Sequence, residues 1–334
     1  MKLIVNPGSG DAEKTPERVE KAVRYLKNEN IEVDVVYAAP KKKACKIAKK
    51  AVKDGYKTVI AMGGDGTIVE VIRGLVGSKT RLGILVGGTM NDIAGSLGIP
   101  EDPEEACALI VSGRARKMDL GRVKTKKHKK FYFVMCTSIG LTATMYPKVK
   151  KVPKGKLTGL KDAFTTFMKF DPKPEVVMTL DDDSKVKVES MLVTVANSPL
   201  IASRNLMAPD ASMGDGLLDI SVYPEFNKAE VLRYFKNTAK EGLIPDGKLQ
   251  RFRARKVKIK TKPKLEVAAD GIPIGKGKTT IKVCPGALRV YAPQLAVTTE
   301  RPQEEIKEDM PAPVSPYVME VKEEEGLKEL NQNE

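Results

Sequence analysis

Apolar side chains recur at two different rhythms in this sequence, and the change of rhythm near residue 121 divides it. In the first part, short apolar runs alternate with stretches in which apolar residues lie three and four apart. Leu3-Ile4-Val5 predicts a short buried strand. Thr15-Pro16-Glu17 opens a helix, because Thr suits an N-cap, Pro the first turn and Glu the positive helix end. Val19, Val23 and Leu26 then form its inward stripe. A second strand is predicted over 31–37, a basic helix over 43–53, a third strand over 58–61 and a helix over 67–76. A fourth strand over 81–86 precedes helices near 91–97 and 103–112. Repeated strand–helix units predict an α/β fold, a doubly wound parallel sheet with helices on both faces.

From Arg122 onward the rhythm shortens to that of strands. Strands are predicted over 131–137, 175–180, 186–196, 217–223, 257–260, 265–268 and 280–283. Interruptions are a segment around 157–170 and a helix over 228–241. Many strands at short spacing predict a β-sandwich-like second domain. Leu157, Leu160, Phe164, Phe167 and Met168 recur at helical spacing among lysines, as in a basic amphipathic helix at an anionic membrane surface. The same stripe suits packing on the β domain.

Composition narrows the chemistry. With 334 residues, 41% of them hydrophobic, the chain can bury a real core. Its single histidine, His128, excludes mechanisms that need two, and four unclustered cysteines argue against a zinc site and suit a reducing compartment. No targeting segment and no apolar run of about 18 residues is expected, which predicts a soluble or peripheral protein. The formal charge of +15 is unevenly spread: residues 296–334 carry eleven Asp or Glu against four Lys or Arg and read as a disordered tail. The remaining body is strongly basic and calls for an anionic partner. Nucleic acid is not expected, since no zinc-finger or aromatic-rich RNA-binding signature is present and aromatics are only 5%.

Three turns carry the candidate chemistry. Gly63-Gly64-Asp65-Gly66-Thr67 stands between a predicted strand and a predicted helix, where glycines allow close backbone approach and the helix start offers N–H groups to an anion. Asp65 is placed to reach a phosphate-bound Mg²⁺. Asn6-Pro7-Gly8-Ser9-Gly10 and Gly87-Gly88-Thr89-Met90-Asn91-Asp92 occupy equivalent places after the first and fourth strands. On one edge of a parallel sheet, together they describe a cradle for nucleotide phosphates. No Walker A sequence is present.

In this order, the three motifs resemble those of the soluble bacterial diacylglycerol/lipid kinase family, related to sphingosine kinases. The resemblance covers roughly residues 1–295 and implies an ATP-dependent lipid kinase using Mg²⁺. It implies an α/β ATP-binding domain over 1–121 with a returning segment over 285–295, a β-sandwich lipid domain over 122–284, and a tail over 296–334. The implied ATP site takes in Asn6, Pro7, Gly8, Ser9 and Gly10; Gly63, Gly64, Asp65, Gly66 and Thr67; Ile68, Val69 and Glu70 in the helix; and Gly88, Thr89, Asn91 and Asp92. Asp119, in the Asp119-Leu120-Gly121 step, is implied to help organise metal and loop. Gly214-Asp215-Gly216-Leu217-Leu218-Asp219 is similar to the family's Mg²⁺ turn, with the Asp215 carboxylate and the carbonyls of Ser212 and Leu217 as ligands.

Two departures stand out. The family's Asp-Gly-Glu is here Asp270-Gly271-Ile272, which leaves Asp270 as the base expected to accept the lipid hydroxyl's proton, alongside Asp65 as a catalytic residue. A nucleotide-binding threonine is replaced by Ala38. The implied partner is a lipid at the inner face of the cell membrane, reached from the cytoplasm; a homodimer is left open. A NAD kinase-like activity and a catalytically impaired nucleotide- or lipid-binding protein are the alternative readings.

Overall fold

The computed structural model describes residues 1–40, 43–149, 165, 167–170, 174–181, 184–201, 205–224, 227, 230 and 249–293. Within Met1–Ala296 the chain forms one compact unit.

The first part alternates as the apolar rhythm requires. Strands β1 (Lys2–Val5), β2 (Asp34–Tyr37), β3 (Thr58–Gly63) and β4 (Arg81–Val86) pair in parallel in the order β2-β1-β3-β4. Every residue of β3 is buried, as expected of a central strand covered on both faces. Helices α1 (Thr15–Asn28), α2 (Lys43–Lys53), α3 (Asp65–Leu75), α4 (Asp92–Leu97) and α5 (Pro103–Val111) connect or flank these strands. Thr15 is not the N-cap: a 3-10 turn over Ala12–Lys14 leads straight into α1, and Thr15 is buried in its first turn. Asp102 does cap α5, its carboxylate accepting the Glu104 and Glu105 N–H groups.

The second part is built from β5 (Ala115–Lys124), β6 (Phe131–Phe133), β7 (Cys136–Gly140), β8 (Glu175–Thr179) and β9 (Lys185–Ala196). The short pair β10 (Leu200–Ile201) and β11 (Asn205–Leu206) and strands β12 (Leu218–Pro224), β13 (Gln250–Ala254), β14 (Lys256–Lys262), β15 (Glu266–Ala269), β16 (Ile272–Lys276) and β17 (Thr279–Tyr291) complete it. The strand expected over 131–137 is two strands, because Val134 and Met135 bend the chain between β6 and β7. A helix not expected from the sequence, α6 (Leu141–Val149), follows β7. The helix over 228–241 apart from residue 230, the tail over 296–334, and Leu157, Leu160 and Phe164 lie outside the described residues. Phe167 is buried against Leu141 and Met191, so this end of the stripe packs inward, whereas Met168 is exposed.

Among the described residues, the two largest of four apolar clusters match the two rhythms. One is formed by β1, β3, β4 and the first helices; the other by Val123, Phe133, Val176, Val193, Ile220, Ile259 and Ile281. The long strand β17 joins them. Its first half pairs with β14, its second half runs parallel to β4, and β5 lies antiparallel along both halves. Among the described residues, no helix is long and apolar enough to cross a membrane.

Candidate phosphate-binding site

The turns after β1, β3 and β4 meet at one rim of the parallel sheet. Their backbones touch at distances only glycine allows. A Cβ on Gly88 would lie 2.3 Å from the Cα of Gly64, and one on Gly10 would lie 2.8 Å from the carbonyl oxygen of Gly87. Gly10 also holds φ +59°, a left-handed conformation that favours glycine. Side chains lock the turns together. Asn6 Nδ2 donates to Thr67 Oγ1 at 2.8 Å, while Ser9 Oγ lies 3.4 Å from the same oxygen. Asn91, itself left-handed at φ 57°, accepts the Gly88 N–H and donates back to the Gly88 carbonyl, at 3.0 and 2.9 Å. Arg18 donates to the Val86 carbonyl at the end of β4.

Helix α3 starts at this junction with Gly64 in the N-cap position and no side-chain cap. The first N–H groups of a helix lack intrahelical partners, which is what an anion site requires. Asp65 Oδ1 accepts the Ile93 N–H at 2.9 Å and so ties α3 to the start of α4. Burial pushes the Asp65 carboxyl above its ordinary range; the Ile93 N–H opposes this and neighbouring Asp92 adds to it. Asp92 is itself buried. Gly8, Gly10, Gly63, Gly64, Asp65, Thr67, Gly88, Asn91 and Asp92 are thus brought into one junction. Ile68 and Val69 are fully or almost fully buried in the core, and Glu70 is paired with Arg73 at 2.9 Å.

Asp119 lies away from the phosphate rim and clasps two turns of the second part. Its carboxylate accepts the N–H groups of Gly216 and Gly286 at 2.7 and 2.6 Å, and its own N–H donates to the Met213 carbonyl. The turn implied to bind Mg²⁺ is also differently occupied. Asp215 Oδ1 accepts the Leu217 N–H, while Asp215 Oδ2 bonds to the guanidinium of Arg253, whose Nε is 3.2 Å from Asp219. Among the described residues no group of three or more His, Cys, Asp or Glu could hold a metal ion. Asp215, the one side-chain ligand of the implied set with the Ser212 and Leu217 carbonyls, is thus paired with a side-chain cation.

Asp270 also departs from the expected free base. Asp270 and Gly271, at φ 45° and 70°, form the two-residue turn between β15 and β16, the backbone that Asp-Gly favours. The carboxylate is buried and accepts N–H groups from Val134, Met135 and Cys136 at 2.9, 2.9 and 3.4 Å. Arg73 lies 3.5 Å from it, donates to the Tyr132 carbonyl and stacks on Phe131 at 4.4 Å. Burial raises the Asp270 carboxyl, with Arg73 and the three N–H groups pulling against it. The group clamps the bend between β6 and β7. Ile272, next to this turn, is 37% exposed. Arg73 and Arg253 were not singled out by sequence reasoning; a cation inside the apolar run Ile68–Leu75 is the signal that marks Arg73.

Residues 1–123 match the model of the diacylglycerol kinase catalytic domain, and residues 138–292 match the YegS C-terminal NAD kinase beta sandwich-like domain. The first part of the chain is thus similar to the catalytic domain of diacylglycerol kinases, and the second part to the C-terminal domain named for YegS. A diacylglycerol kinase from Bacillus subtilis is 29% identical over 279 residues, covering 81% of this chain and 88% of that protein. One from Mycobacterium tuberculosis is 25% identical over 294 residues, covering 87% and 94%. The crystal structure of a Bacillus anthracis diacylglycerol kinase has a TM-score of 0.68 at 21% identity, covering 87% of this chain and 96% of that one, and shares the fold. These matches agree with the α/β first part and the β-sandwich-like second part.

Proposed function

We propose that the chain is an ATP-dependent lipid kinase that transfers the γ-phosphate of ATP to the hydroxyl of a lipid such as diacylglycerol. The observation that carries this is the convergence of three glycine turns, at backbone distances no side chain could tolerate, on the uncapped start of α3. Such a junction leaves backbone N–H groups as the natural ligands for a polyphosphate. The relatives' names supply the lipid acceptor.

Magnesium bound with the nucleotide would neutralise phosphate charge. Asn6, Ser9 and Thr67 hold the first and second turns together, and Asn91 fixes the third. The Asp65 carboxylate, which accepts the Ile93 N–H, would hold the nucleotide's cation. Burial already disfavours its charge, and a cation would offset that cost. Asp270 orients the β6–β7 bend rather than accepting a proton. Phosphoryl transfer through a loose transition state depends mainly on positioning and charge neutralisation, so turnover without a dedicated base is chemically sound. In this reading the lipid approaches from the second part, and the protein works at the surface of a membrane.

Incubation with γ-labelled ATP and diacylglycerol in mixed micelles tests the reading. Wild-type protein should label the lipid, and Asp65→Asn should lose at least about tenfold of that activity, the loss expected of one charge-stabilising contact. Label that enters NAD but no lipid, or equal labelling by the variant, would overturn it.

A further inference from the structure

One face of the second part is covered with cations in strand register. On β14, Lys258, Lys260 and Lys262 are exposed and Lys256 half-buried, while Val257 and Ile259 between them are fully buried. The sheet therefore has one face in the core and one in solvent, with lysine at the outward positions. Register extends this across the neighbouring strands. Lys256 stands directly opposite Lys282 of β17, which stands directly opposite Arg122 of β5. On the next outward row, Thr280 separates Lys258 from Lys124. Beyond β8, exposed Lys185 and Lys187 of β9 continue the face, Lys187 pairs with Glu175 at 3.0 Å, and Glu175 and Glu189 form an acidic end to it in the row of Lys262.

Like charges directly opposite on adjacent strands destabilise a sheet. A row of Lys256, Lys282 and Arg122 is therefore a cost that local packing does not explain, since Thr would fill an outward strand position without repulsion. A planar anionic partner would offset it. The face spans five adjacent strands, roughly 20 Å across. Its composition distinguishes between polyanions. It is built mainly of lysine, a flexible point charge, rather than arginine, and among the described residues only Tyr132 offers an aromatic ring on it, placed by its register opposite Arg122. Single-stranded nucleic acid calls for aromatic stacking surfaces and duplex readout for forked donors, whereas a bilayer presents a plane of phosphates that lysine meets without directional demands. The face also borders the Asp270 clamp: Arg73 donates to the Tyr132 carbonyl at 3.2 Å and lies 3.5 Å from Asp270.

We infer that this lysine-covered outer face of β5, β17, β14, β8 and β9 docks the protein on an anionic phospholipid bilayer. The inference rests on the lipid-kinase reading for its purpose, but not for its test.

The full chain is sedimented with vesicles of equal parts phosphatidylglycerol and phosphatidylcholine, and with pure phosphatidylcholine. Binding is expected to the first only and to weaken as salt rises. The triple variant Lys256→Glu, Lys258→Glu, Lys282→Glu should lose about tenfold or more of that binding. Lys43→Glu, Lys46→Glu, Lys53→Glu on α2 makes the same change of charge elsewhere and should keep most of it. Lys282→Glu alone separates docking from folding, because an acid there lies between Lys256 and Arg122. It should weaken vesicle binding while raising the melting midpoint by about 2 °C. Equal loss in both triple variants, or none in the first, would overturn the assignment. So would binding to duplex DNA in preference to the vesicles at the same salt, if the face variant abolished it. Phosphorylation of diacylglycerol in uncharged detergent micelles reports separately on the kinase reading. The face variant should match wild type there, and absence of activity in every protein would sink the kinase reading while leaving the vesicle result to stand.

Discussion

Asp270 shows how one side chain can satisfy a motif and yet do different work. Its Asp-Gly neighbour pair is dictated by a two-residue turn with both φ angles positive, and its oxygens are taken up by three N–H groups and Arg73. The position beside it is the open one. Ile272 is partly exposed at the end of the turn, so Ile272→Glu should fold normally and supply the carboxylate that the turn lacks. We expect kcat to rise by about tenfold or more, within the range a positioned base contributes; an unchanged or lower kcat would show that the loss of this glutamate is compensated. Asp219 gives a pH signature. Burial pushes its carboxyl up to about 6, with Arg253 pulling down and Asp215 and Asp210 pushing up. The unfolded group titrates near 3.9, so between these values the folded chain holds more protons. Its contribution to stability is therefore present below about pH 4 and lost as pH rises through about 6. Melting temperatures measured across that window should fall less steeply with rising pH in Asp219→Asn than in wild type.

The glycine turns are where strand, turn and helix depend on each other most. In Gly88→Ala the new Cβ would press on Gly64 and on the Asn91 amide oxygen. Separating these turns should destabilise the fold by about 1–3 kcal/mol and weaken MgATP binding much more than it lowers the melting temperature of ligand-free protein. Loss of stability with unchanged affinity would place the nucleotide elsewhere. The three turns were legible in the sequence because each combines Gly with a small polar residue directly after an apolar run. So were the strands and helices of the first part, whose apolar spacing is regular. The pairing of turn to turn was not legible, since it depends on backbone approach. Nor was the clasp by Asp119, whose partners Gly216 and Gly286 lie about a hundred or more residues away along the chain. Arg253 illustrates the same limit: a cation supplied across β12 and β13 is paired with Asp215, and no local motif announces it.

In the molecule as a whole, strands β5 and β17 carry the chain between its two largest cores, so the phosphate rim and the β-rich second part share a continuous sheet. Periodicity predicted two textures but placed the change at a point, near residue 121, whereas β5 runs through it unbroken from Ala115 to Lys124. Part of the strong basicity of the body, visible in composition, is gathered on a lysine-covered sheet face, while the three-turn rim is built of glycine and small polar residues. Both fit a protein that brings a soluble nucleotide to a lipid. Calorimetric titration of MgATP into the purified chain reads the first half of that pairing. Saturable binding, greatly weakened in Gly88→Ala, is the expected result. No heat of binding in the wild-type chain, with the fold intact, would contradict the assignment of the three-turn rim to a nucleotide triphosphate.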